Sequence, residues 1–79
     1  MARLAITGWK TGLDKVELNR LLRQHAGLKL HEAKQAVDEL LEGQTVTVEC
    51  SDPASASSLC RAARAIGAVC SVDVVVRTN

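Results

Sequence analysis

Two histidines, three cysteines and a band of cations are the residues of this chain equipped for chemistry. His25 and His31 lie six residues apart and flank Gly27, whereas two imidazoles sharing one helical face need a spacing of about four. No third ligand stands at a diagnostic spacing, so no metal site is expected. The pair reads as partly exposed histidines beside an inter-helix turn. Cys50, Cys60 and Cys70 recur every ten residues. An odd count without a C-x-x-C pair is neither a disulfide framework nor a zinc knuckle, and it fits a reduced, cytoplasmic setting. A nucleophilic cysteine needs an electropositive, partly open site with a base nearby. Each of these three falls on an apolar position of its element instead, where a small buried hydrophobe is the plainer reading. Gly8 and Gly12 lack the spacing and the Lys-Ser/Thr ending of a phosphate loop. The expectation is a protein that is not an enzyme and uses no cofactor.

The cations are more informative in their placement than in their number. Ten Lys/Arg against nine Asp/Glu leave the chain at +1, too little for a strongly basic nucleic-acid domain. Residues 1–36 hold seven basic and three acidic side chains, a balance of +4, whereas residues 37–52 hold five acids and no Lys or Arg. Arg20 and Arg23 are three apart on one helix, and Lys15 and Lys34 join them if two helices form a hairpin. Such a cationic edge steers and holds an acidic protein surface; the alternative is an ordinary solvated face.

The elements that must position these residues follow from periodicity. Leu4 to Trp9 alternates as a strand, with Leu4 and Ile6 on one face and Ala5 and Thr7 on the other. After a loop, Asp14 and Glu17 have the spacing of a capping box that satisfies two orphan N–H groups. Val16, Leu18, Leu21, Leu22 and Ala26 form the apolar stripe of that first helix, and Gly27 stops it. A second helix from Leu30 to Leu41 carries Leu30, Ala33, Val37, Leu40 and Leu41 as its stripe and ends at Gly43. Thr45 to Ser51 alternates again, with Val46, Val48 and Cys50 on one face. Asp52-Pro53 is an N-cap followed by proline at the first helical position. The third helix buries Ala56, Leu59, Cys60, Ala63 and Ile66 and stops at Gly67. The last strand, Val69 to Arg77, places Cys70, Val72, Val74 and Val76 inward and Ser71, Asp73, Val75 and Arg77 outward.

The order is β-α-α-β-α-β. If each element reverses the last, putting the first strand in the middle makes every neighbour antiparallel. The expected fold is an α+β two-layer sandwich, a three-stranded antiparallel sheet with three helices on one face. Its 79 residues make one domain, 1–79, with no repeat or linker. No apolar run approaches the roughly 18 residues of a membrane span, and the start does not read as a secretory signal.

The run Gly27-Leu28-Lys29-Leu30-His31-Glu32-Ala33-Lys34-Gln35-Ala36-Val37 resembles the Gly-Leu-x-Leu-x-Glu-Ala-Lys-x-x-Val signature of the C-terminal domain of the bacterial ribosomal stalk protein, the L-seven/L-twelve family. The similarity is strongest from Lys15 to Val37 and covers most of the chain more loosely. It implies the same β-α-α-β-α-β domain, in which a helical hairpin and its basic residues recruit translational GTPases. The positions that match the family's contact surface are Lys15, Val16, Arg20, Arg23, Gly27, Leu28 and Lys34. The chain departs at Asn19, where the family carries an aliphatic residue, and at Lys29, where it often carries glycine. With the domain starting next to Met1, a stand-alone relative without the family's dimerisation segment and hinge is expected.

The expectation is therefore a protein–protein interaction domain whose basic hairpin meets an acidic face on a translational GTPase or another cytoplasmic machine. Two rivals stand beside it. The fold is shared with ClpS, the protease adaptor, and a regulator of that kind would use another surface, around Trp9 and the Lys10–Leu13 loop. An electrostatic RNA binder would use the basic face itself, although the single aromatic residue, Trp9, leaves little for base stacking. Pairing of two copies through the open sheet face or the valine-rich last strand is a further option.

Overall fold

The computed structural model describes residues 2–74, and local chemistry accounts for most of the element ends. The order is β1 (Ala2–Trp9), α1 (Lys15–Ala26), α2 (Leu30–Leu41), β2 (Val46–Cys50), α3 (Pro53–Ala65) and β3 (Ala68–Val74). Asp14 caps α1 by accepting the Glu17 N–H at 3.0 Å. Asp52 caps α3 by accepting the Ser55 N–H at 2.7 Å, with Pro53 in the first turn. At α2 the cap comes from inside the helix: the Lys29 N–H donates to Glu32 Oε1 at 2.9 Å. Gly27 takes the left-handed conformation, φ 69°, that lets α1 end and α2 begin three residues later.

The sheet runs β2-β1-β3 with both pairs antiparallel, the arrangement that chain direction favours. Leu4 lies opposite Val48 and Val72, and Ile6 opposite Val46 and Cys70. Alternation then does the sorting. Ala2, Leu4, Ile6, Val46, Val48, Cys50 and Cys70 are buried beneath the helices, while Arg3, Thr7, Thr47, Glu49 and Ser71 face outward and are exposed. A register shift between Ile6 and Gly8 sets Trp9 opposite Ala68 at the end of the sheet, where the residue remains 43% exposed.

Leu4, Ile6, Leu18, Leu22, Leu40 and Leu59 are the largest fully buried side chains. Ala33, Ala56 and Ala63, each fully buried, let the helices approach the core closely, and close packing makes the core intolerant of voids. The β1–α1 loop is pinned from the far end of the chain. Lys10 N–H donates to Gly67 O at 2.7 Å and Asp14 N–H to Ile66 O at 3.1 Å.

The structure corrects the sequence reading in several places. Val16 and Leu30, members of the apolar stripes of their helices, are 81% and 64% exposed and do not join the core. They sit in the first turns of their helices, beyond the part that packs on the core. Ala26, Leu41, Ile66 and Val72 are half-buried rather than buried, whereas Leu13 and Ala36 belong to the core. Only half of the Asp14–Glu17 capping box forms, because the Asp14 N–H is taken by Ile66 O and the Glu17 carboxylate by Arg20. β1 starts at Ala2 rather than Leu4, β2 spans Val46–Cys50 rather than Thr45–Ser51, and β3 starts at Ala68. The expectations for Val75, Val76 and Arg77, and for the side chains of Asp73 and Val74, lie outside the described residues.

Candidate functional site

The helical hairpin leaves a groove of about 360 Å³ between α1 and α2, lined by Lys15, Val16, Asn19, Arg23, Leu30, Lys34, Val37 and Asp38. Helical spacing builds it. On α1, Val16, Asn19 and Arg23 stand at i, i+3 and i+7; on α2, Leu30, Lys34 and Val37 stand at i, i+4 and i+7. Val37 is 5% exposed and belongs to the core, so it forms the floor. Val16 and Leu30 form apolar lips on either side. Surface apolar residues are ordinary when scattered, but these two share one concavity with three cations.

The charges in the groove are Lys15, Arg23 and Lys34 against one carboxylate, Asp38. Among the described residues none of the three cations has an acidic partner within 4.0 Å. Arg23 is aimed rather than neutralised: its Nε donates to Asn19 Oδ1 at 2.9 Å across one turn. Arg20 differs. Its Nε donates to Glu17 Oε1 and Oε2 at 3.0 and 3.1 Å, one terminal nitrogen bonds Glu17 as well, and the other reaches Gln24 Oε1 at 2.9 Å. The hydrogen bond from Arg20 lowers the Glu17 carboxyl below its usual range. At neutral pH this exposed pair therefore presents little net charge to a partner.

Of the seven positions singled out from the sequence, Lys15, Val16, Arg23 and Lys34 meet at the groove. Arg20 is on α1 but outside the groove lining, held to Glu17. Gly27 is the hairpin turn. Leu28 packs against the core and lines a second depression with Glu32, Gln35, Glu39 and the start of β2. The sequence reading missed Asn19, Leu30, Val37 and Asp38 as groove residues. The spacing Leu30–Lys34–Val37 was the available signal, since residues four and seven apart share a helical face.

Glu32, a distinctive member of the Gly27–Val37 run, has a structural task in satisfying the Lys29 N–H. Its presence is therefore explained by helix capping. No group of three or more His, Cys, Asp or Glu side chains among the described residues is placed to hold a metal ion, and none of their helices is long and apolar enough to cross a membrane. Compared with family models and with curated proteins, the chain matches none.

The three cysteines are all reduced and buried. Burial pushes the Cys50 thiol up from its ordinary range, and the Cys70 thiol is pushed up to about 12 by burial and by its hydrogen bond with Cys60. Thiols held protonated in this way are poor nucleophiles at neutral pH.

Proposed function

We propose that this domain is a non-enzymatic protein–protein interaction module that receives an acidic surface of a cytoplasmic partner in the α1–α2 groove. The observation that carries the reading is the combination in one concavity of two exposed apolar lips, Val16 and Leu30, with Lys15, Arg23 and Lys34. The resemblance of the Lys15–Val37 stretch to the ribosomal stalk C-terminal domain supplies the partner class, a translational GTPase. Recruitment needs no chemistry from the domain itself: unpaired cations speed encounter with an acidic face, and the apolar lips set the residence time once they are desolvated.

The test is a titration of labelled domain with a purified translational GTPase at two salt concentrations. Wild type should bind and weaken with salt. A variant carrying Lys15→Glu, Arg23→Glu and Lys34→Glu should bind at least tenfold more weakly and lose most of the salt dependence. Equal affinity of the folded variant and wild type contradicts the use of the groove, and no binding by either removes this partner class.

A further inference from the structure

Two of the three cysteines meet. Cys60 near the middle of α3 and Cys70 on β3 are ten residues apart in sequence, and their sulfurs are 3.0 Å apart. The Cys70 thiol also lies 3.3 Å from the Cys60 carbonyl oxygen, and the Cys60 thiol 3.6 Å from the Cys70 carbonyl oxygen. Arg64, one turn beyond Cys60, donates to the same Cys70 carbonyl at 2.8 Å. The two side chains thus point at each other across a helix–strand contact that the Arg64 hydrogen bond also spans. Cys50 is elsewhere. It pairs with Ala2 on one side of β1, whereas Cys70 pairs with Ile6 on the other. Two strand spacings and four residues of rise put it roughly 17 Å from Cys70.

We infer that Cys60 and Cys70 are a disulfide-forming pair, which low-molecular-weight disulfides convert into an intramolecular cross-link between α3 and β3 within the native fold. In the reaction one cysteine, as thiolate, attacks glutathione disulfide and releases one glutathione thiolate, leaving a mixed disulfide. The second cysteine, as thiolate, displaces the other glutathione and closes the bond. Two protein thiols are oxidised, one glutathione disulfide is reduced to two thiols, and the two protons lost by the protein end on the released glutathione. Both thiols are buried, so the first attack runs through a local opening of β3 from α3 and the closed pair reacts slowly. The three cysteines taken from sequence alone indicate no disulfide framework; the helix–strand packing selects this pair, and the product is a reversible cross-link.

The experiment equilibrates wild-type protein with mixtures of glutathione and glutathione disulfide, in native buffer and in concentrated urea, followed by acid quenching and alkylation. Cleavage before aspartate leaves Cys50 in residues 38–51 and both Cys60 and Cys70 in residues 52–72, so the cross-link is read as an unalkylated, 2-Da-lighter peptide 52–72 beside an alkylated peptide 38–51. Closing a loop of this length stabilises the folded state by its denatured-state entropy. By linkage, the pair's effective concentration should then be about a hundredfold higher in the native than in the denatured chain. A ratio of tenfold or more supports the assignment. A smaller ratio, a cross-link that includes Cys50, or glutathione adducts that never close overturns it.

Discussion

Val16→Ala with Leu30→Ala separates the groove from the core. Removing two methyl groups from a fully buried valine costs about 1.6 kcal/mol, and trimming a buried leucine to alanine about 2.4 kcal/mol, at about 0.8 kcal/mol per carbon. The fold buries only about a fifth of Val16 and about a third of Leu30, since they are 81% and 64% exposed. The double variant should therefore lose roughly 1.2 kcal/mol, and the better helix propensity of alanine over valine offsets about 0.5 kcal/mol of that. A net loss of about 0.7 kcal/mol corresponds to roughly 3–6 °C in Tm for a domain of this size. The control is Leu18→Ala, two residues from Val16 but fully buried, which should cost about 3 kcal/mol through transfer and cavity terms. Urea unfolding followed by Trp9 fluorescence, with circular dichroism as the second probe, measures both. If the double variant is destabilised as much as Leu18→Ala, the lips belong to the core and the reasoning fails. A loss of only about 0.7 kcal/mol, with partner binding weakened tenfold or more, places their worth in the interface.

Three further outcomes are expected. Gly67 has φ +106°, and an added Cβ would stand 3.1 Å from Leu13 Cα, so Gly67→Ala should lose about 2 kcal/mol or more in urea unfolding; an unchanged midpoint would show that the loop yields freely. The hydrogen bond from the Ser55 N–H lowers the Asp52 carboxyl below its usual range. The cap's stability is accordingly present above the unfolded carboxyl pKa and lost as pH falls through the folded one. The Tm gap between wild type and Asp52→Ala should shrink from pH 7 towards pH 3, and a pH-independent gap would argue against the cap as its source. Arg23→Glu should weaken partner binding more than Arg20→Glu, because Arg23 lines the groove whereas Arg20 is held by Glu17; the reverse order in a binding titration counts against the groove geometry.

What could be read in advance was whatever depends on local chemistry. Asp52-Pro53 and Gly27 mark helix boundaries through hydrogen bonds and a backbone angle that involve only near neighbours. The strand order followed from chain direction, because a central β1 leaves only antiparallel neighbours. The misreadings share a different cause. Periodicity identifies an apolar face but not how far the opposing layer extends along it, so the stripes of α1 and α2 include Val16 and Leu30 although the core stops short of both. The Asp14–Glu17 spacing predicts a reciprocal cap, but the acceptor of the Asp14 N–H is Ile66 O, 52 residues away in sequence. Arg20 and Arg23 look equivalent as letters. The difference lies in their neighbours, Glu17 three residues before Arg20 and Asn19 four before Arg23, and only one of the two is a counter-charge. The meeting of Cys60 and Cys70 depends on how α3 lies on β3, which the ten-residue spacing does not reveal.

The most direct measurement is to map amide chemical-shift changes in isotopically labelled domain as a purified translational GTPase is added. Changes confined to Lys15, Val16, Asn19, Arg23, Leu30 and Lys34, and weakened by added salt, are the predicted result. Changes centred on Trp9 or on the open sheet face around Arg3, Thr47 and Ser71, or none at saturating partner, would contradict the claim that the α1–α2 groove is the docking site.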